Sequence, residues 1–251
     1  MKTTTLKTLS AVTLVAGCLM GSQASQASII IDDFNSFQVA VDANPTAGSI
    51  DSATLADVNV LGGYREFIAN RTNPTTGTLQ VRTSSNEFGT NTFIFDQTSS
   101  TTRGMGSIIY DGDPTQVLGE SALNTTGLAP GVDLTAGGTL TFFTFKDLAV
   151  TGNGLVLTVS LYNSLGVAST ATVNLVDTNG TSIDLLIPYA TFSNPGTPSA
   201  VYAVKIDIDG RSTGARGSDL TFDLVSSEVP EPASLGLLGV GGLLALRRRR
   251  D

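Results

Sequence analysis

The chain has 251 residues, with 14 Lys and Arg against 22 Asp and Glu, a formal net charge of −8, no histidine, no tryptophan and one cysteine. Without histidine, a Ser-His-Asp triad, a Cys-His pair and every His-dependent metal centre are excluded. Six of the basic residues lie in the two ends, so from Asp32 to Glu228 eight basic residues face twenty acidic ones, a balance of −12 that argues against binding nucleic acid or anionic lipid by charge.

The first segment, "MKTTTLKTLSAVTLVAGCLMGSQASQASIII", places Lys2 and Lys7 ahead of an apolar run over 9–20 and then small residues. That is the layout of a secretory signal, cut by signal peptidase after Ala27, where Ser25 and Ala27 supply the small side chains, so that residues 1–27 are removed and the mature chain begins at Ser28. A rival reading lies inside it: "VAGC" at 15–18 resembles the lipobox of bacterial lipoproteins, in which Cys18 would be lipidated. The apolar run continues past Cys18, which favours Ala27. Cleavage there leaves no cysteine, hence no disulfide and no thiol nucleophile.

From 28 to 228 the sequence predicts one all-β domain. Stretches rich in β-branched and aromatic residues with period-two alternation fall at 28–31, 65–70, 78–84, 91–97, 106–111, 138–148, 154–163, 169–177, 183–192, 200–209 and 218–226, separated by turn clusters such as "DGDP", "TGNG" and "SNPGTPS". These strands, without an amphipathic helix or a fixed repeat, point to an antiparallel β-sandwich of jelly-roll type. The small, polar stretch 42–60 is expected to be a long loop, and no linker divides the body.

The last segment, 229–251, reads "VPEPASLGLLGVGGLLALRRRRD". Its 14 apolar and Gly-rich residues at 233–246 would span about 21 Å as a helix, short of the roughly 30 Å hydrocarbon core. Arg247, Arg248, Arg249 and Arg250 would stay cytoplasmic and leave the body outside. A transient stop-transfer helix fits better than a lasting anchor. The order of Pro230, Glu231 and Pro232, the apolar run and the arginines resembles the PEP-CTERM sorting signal of Gram-negative bacteria. The resemblance implies recognition by a membrane-embedded exosortase-like enzyme, removal of the tail after transient insertion in the inner membrane, and a place at the cell surface or in the exopolysaccharide matrix.

Within the body, "IIIDDFNSF" at 29–37 and "GSDLTFDLV" at 217–225 resemble the first and last strands of exported jelly-roll carbohydrate-binding modules. In that family terminal-strand carboxylates can hold a structural calcium, a hard cation served by oxygen ligands, and here Asp32, Asp33, Asp219 and Asp223 would be the ligands. The other reading of these residues is that they cap and solvate strand ends. No cofactor is otherwise required. Tyr64 in "LGGYREF" and Tyr110 in "IIYDGD" sit where strands meet Gly-rich loops and are the candidate aromatics for stacking on a sugar, with core packing as the alternative. A phosphate-binding loop is absent, and Glu66, Glu87 and Glu120 carry no pattern specific to a carboxylate glycosidase. The chain is therefore expected to be an exported, non-enzymatic surface or matrix protein. A glycan-binding or adhesive module is the first alternative and a glycoside hydrolase the second.

Overall fold

The computed structural model describes residues 28–43, 50–73, 77–84, 91–115, 123–215 and 217–229. The expected signal segment with Cys18, Glu87, Glu120, the Pro230–Glu231–Pro232 tripeptide, the expected C-terminal helix and the arginine cluster lie outside the described residues. Among the described residues no helix is long and apolar enough to cross a membrane.

The described residues form fourteen strands in two sheets. They are β1 (Ile29–Asp32), β2 (Val39–Asp42), β3 (Asp51–Ala56), β4 (Tyr64–Arg71), β5 (Leu79–Ser84), β6 (Thr92–Gln97), β7 (Gly104–Tyr110), β8 (Phe142–Thr151), β9 (Val156–Tyr162), β10 (Ala168–Asn174), β11 (Ile183–Pro188), β12 (Ala203–Asp209), β13 (Asp219–Phe222) and β14 (Leu224–Glu228). The larger sheet runs β1-β14-β8-β13-β6-β5-β2, with β11 also on β8; the smaller runs β10-β9-β12-β7-β4-β3. Every named pairing is antiparallel. The chain crosses repeatedly from one sheet to the other and its last strand lies beside its first, an all-β jelly-roll sandwich as the alternation predicts.

Two local departures have physical causes. The expected loop over 42–60 contains β3, whose small polar sequence DSATLA has little strand propensity of its own. It is an edge strand, held by six consecutive register pairs with β4. The single strand expected over 218–226 is two, β13 and β14, broken at Asp223, whose N–H donates to the Lys146 carbonyl at 3.0 Å.

The facing sides of the sheets make one core. Its centre is aromatic: Phe93 of β6 stacks on Phe222 of β13 with centroids 4.5 Å apart, and Phe34, Phe67 and Phe145 meet this pair edge-on or tilted. Opposite them β7 carries Gly106, where an added Cβ would lie 2.7 Å from Phe95 and 2.8 Å from Val81. A side chain there would push the sheets apart, so the glycine permits their close approach.

Candidate functional site

The outer side of the larger sheet takes shape from strand register. Arg82, Ile94, Thr221 and Ala149 form one row across β5, β6, β13 and β8. Two residues along the strands, Gln80, Asp96, Asp219 and Thr151 form a parallel row. On the opposite flank lie Ser84, Thr92, Asp223 and Asp147, with Thr92 Oγ1 donating to Asp223 at 2.8 Å. Each of these side chains alternates with a core residue, so the period-two pattern that fills the core also lines this surface. Between the first row and this flank runs a groove of about 480 Å³ bounded by Ser84, Thr92, Ile94, Asp147, Ala149 and Asp223. At its far end Asp147 stands at φ 51°, a left-handed conformation that Asp tolerates better than most residues, beside the register shift between β8 and β11.

Phe37 lies on the same outer side, on the segment leading into β2, the strand next to β5. Val39 pairs with Arg82, and the Thr83 N–H donates to the Gln38 carbonyl, so the same register places Phe37 opposite Ser84. It is 57% exposed, and it is the one aromatic in the exposed class among the described residues. The sequence reading passed over it, although "SFQVAV" carries the signal: its alternation puts Phe37, Val39 and Val41 on one face and Gln38, Ala40 and Asp42 on the other.

Asp96 and Asp219 also line a recess of about 280 Å³ at one end of the face. Partial burial pushes the Asp219 carboxyl up to about 6; the Gln97 N–H, 3.1 Å away, opposes the rise, and the like charge of Asp96 adds to it. Between the ordinary Asp value and about 6 the folded chain therefore binds more protons here than the unfolded one, and stability falls as pH rises through that window. Asp219→Asn is expected to raise the melting temperature at about pH 7.5 and to do so much less at about pH 4.5. Solvent screening holds the gain to about 1 kcal/mol, or about 2–4 °C. An equal gain at both pH values would show that the carboxyl does not titrate as described.

The candidates named from sequence fall in different places. Tyr110 is fully buried, and its hydroxyl donates to Asp32 Oδ2 at 2.9 Å, so it packs in the core and faces no ligand. Burial and the neighbouring Asp32 carboxylate push its own ionisation well above the ordinary value. Tyr64 is half-buried at the start of β4, on the smaller sheet away from the groove. Asp32 is fully buried in an ion pair: Arg65 Nη1 lies 2.9 Å from both carboxylate oxygens, and the Phe34 N–H donates to Oδ1 at 2.8 Å. Asp33 lies in the turn after β1 and accepts from the Asn35 N–H at 3.2 Å.

These positions correct the expected calcium set. Only Asp219 and Asp223 share a face, four residues apart on either side of Thr221, and among the described residues no three acidic, His or Cys side chains converge. Asp32 already accepts from Arg65, Tyr110 and Phe34, which leaves no lone pair directed at a cation. The four carboxylates do not fit one shared ion.

Comparison with known proteins adds one match in sequence. Residues 228–250 match the PEP-CTERM protein-sorting motif. The motif marks an exported chain sorted to the cell surface and implies processing by an exosortase-like enzyme. No curated protein matches the chain. Among solved structures, the family 11 carbohydrate-binding module of a cellulosomal cellulase of Clostridium thermocellum is similar over 82% of this chain and 97% of its own length, at 8% identity and a TM-score of 0.34. The enzymatically active domain of tailspike protein 4 of bacteriophage CBA120 is similar over 80% of this chain, at 7% identity and a TM-score of 0.37; this chain spans 22% of it. An agarase is similar over 82% of this chain and 25% of its own, at 11% identity and a TM-score of 0.38.

Proposed function

We propose that the chain is an exported surface or matrix protein that holds a glycan, without turning it over, across the outer face of its larger sheet. The observation that carries this reading is the groove itself, which crosses the strands on the face that also exposes Phe37 and sets apolar Ile94 and Ala149 beside the polar groups of Asp147, Asp223, Ser84 and Thr92. A pyranose ring presents an apolar C–H face and a hydroxylated rim. Phe37 offers a flat apolar platform for the first, while Asp147, Asp223, Ser84 and Thr92 offer acceptors and donors for the second. Ile94 and Ala149 give the floor apolar contact between them.

Sorting completes the reading. The signal segment is removed after Ala27, and the tail holds the folded body briefly at the inner membrane of a Gram-negative cell until the exosortase-like enzyme acts. Exopolysaccharide then lies beside the exported body, which places a polysaccharide within reach of the groove.

The test is retention of the full chain on insoluble and soluble polysaccharides, with released reducing ends measured alongside. Binding without product release is expected. Phe37→Ala is expected to weaken it by about fivefold, the equivalent of one lost ring contact of roughly 1 kcal/mol, and to leave the melting temperature unchanged because the side chain is largely exposed. Retention on no polysaccharide, or retention indifferent to Phe37→Ala, would refute the assignment to this face. Steady release of reducing ends would replace binding by hydrolysis.

A further inference from the structure

Three stretches of the body read Asn-x-Thr without a proline in the middle, the pattern at which an oligosaccharide is joined to an asparagine amide in exported proteins: Asn70-Arg71-Thr72, Asn124-Thr125-Thr126 and Asn179-Gly180-Thr181. The fold separates them. Asn70 lies inside β4, opposite Met105 of β7; its Oδ1 is buried, and Arg71 beside it is 2% exposed. Reaching that amide would mean unpicking an internal strand of the smaller sheet. Asn124 is half-buried, and its N–H donates to Asp111 Oδ2 at 2.9 Å. Its Oδ1 accepts from both the N–H and the Oγ1 of Thr126 at 3.2 Å, and its Nδ2 lies 3.5 Å from Asp113, so the amide and the hydroxyl that an enzyme must grasp are held by each other and by the loop.

Asn179 differs on each point. It is exposed, as are Gly180 and Thr181, in the connection between β10 and β11. The Thr181 N–H donates to the Thr178 carbonyl at 3.1 Å, with Asn179 at φ 52° and Gly180 at φ 76°, the paired left-handed conformation that a tight turn takes from Asn-Gly. The turn accounts for Asn179 and Gly180 but makes no demand for the exposed hydroxyl of Thr181. The Asn179 N–H donates to Asp177 Oδ1 at 2.7 Å, so backbone bonds of the turn leave the side chain outside the fold, where a bulky substituent displaces no core contact. Asp177 also gives this stretch an acidic residue two places before the asparagine, where the other two have Ile68 and Ala122, a fixed charge that a transferring enzyme with a basic pocket can read.

We infer that Asn179 is a glycan acceptor, modified as the exported chain leaves the membrane by transfer from a polyprenyl-diphosphate-linked oligosaccharide. The bond that forms joins Asn179 Nδ2 to the anomeric carbon. The bond that breaks is the anomeric C–O bond, whose electron pair leaves with the lipid diphosphate, while one Nδ2 proton passes to a base of the transferring enzyme. An amide nitrogen shares its lone pair with its carbonyl and does not attack a free sugar unaided, so the chain is the substrate of this step and another enzyme its catalyst. The site is separate from the groove and does not depend on what the groove holds.

The test is mass spectrometry of the full chain recovered from its native cells, unfolded before trypsin digestion so that a glycan merely held by the body is washed away. Peptide 147–205 is expected to carry one oligosaccharide, placed on Asn179 by fragmentation, with Asn70 and Asn124 bare. Asn179→Gln should abolish the added mass. Thr181→Ala should abolish it with the amide still in place, and Thr181→Ser should retain most of it, at unchanged melting temperature in both. A bare Asn179 in native protein, or one that shows only the small mass gain of deamidation, would overturn the inference. So would a glycan that survives Asn179→Gln, which would put it on a serine or threonine, or one that is indifferent to Thr181→Ala. None of these results bears on retention of polysaccharides by the groove, which is measured on the folded chain.

Discussion

Arg65→Met is expected to destabilise the fold by roughly 3–5 kcal/mol, enough to lower the melting temperature by on the order of 10 °C. Arg65 is fully buried. Its Nη1 holds both oxygens of Asp32 at 2.9 Å, Nε donates to Gln38 Oε1 at 2.7 Å and Nη2 donates to the Ser36 carbonyl at 2.8 Å. The guanidinium also lies 4.8 Å from the centroid of Phe67 and 5.4 Å from that of Phe34. Methionine fills comparable volume, so the loss comes from electrostatics: Asp32 would keep the Tyr110 and Phe34 donors but lose its counter-charge in a dry core. Burial already pushes the Asp32 carboxyl above its ordinary value, against the pull of Arg65.

Two controls separate this from simple mispacking. Because the orphaned carboxyl can take up a proton, the deficit of Arg65→Met should shrink as pH falls toward the ordinary Asp range. The double variant Asp32→Leu with Arg65→Met should recover most of the loss, since removing both partners of a buried pair is often neutral or stabilising. Denaturant unfolding of the three proteins decides it. A single variant within about 1 kcal/mol of the parent, or a double variant no better than the single one, would show that the pair does not hold the first strand to the smaller sheet.

Phe93→Ala is expected to cost about 3–5 kcal/mol by opening a cavity at the centre of the sandwich. The ring has no exposure and touches three others: Phe222 stacked at 4.5 Å, Phe67 at 5.5 Å and Phe34 at 5.6 Å. Those neighbours come from the last strands, from the smaller sheet and from the loop after β1. The loop contact matters most for local order, because Phe34 stands at φ 51°, a conformation a bulky residue holds only when its surroundings over-determine it. Removing Phe93 should therefore loosen residues 33–37 as well as lower the unfolding midpoint. Amide exchange of that loop, measured together with denaturant unfolding, checks both. A loss under about 1 kcal/mol with unchanged exchange would mean that the aromatic cluster closes over the gap and does not anchor the loop.

How much of this was readable beforehand depends on how local each feature is. Alternation within single stretches located β4 to β12 closely, because hydrophobic period two is written in a few adjacent residues. It missed β2 and β3, two short edge strands. DSATLA becomes a strand only because β4 offers it a register of hydrogen bonds, and nothing inside those six residues announces that partner. The sorting signal was also legible, since its three parts are contiguous in the chain.

The candidate site was legible only as parity. The sequence shows that Asp219, Thr221 and Asp223 share one face of a strand and that Phe37, Val39 and Val41 share one face of another. It does not show which face the second sheet will cover. That choice sent Phe34 inward and Phe37 outward, three residues apart, and it turned Asp32 into the partner of Arg65 while leaving Asp219 and Asp223 on the surface. By itself the sequence determined an all-β, histidine-free, acidic body carrying a sorting signal, because composition and short-range periodicity suffice for those properties. Only the tertiary structure decided which carboxylates became core ions and which stayed on the outer face, because that outcome depends on register between strands as far apart in the chain as β6 and β13, and a one-residue slip would have turned the outer set inward.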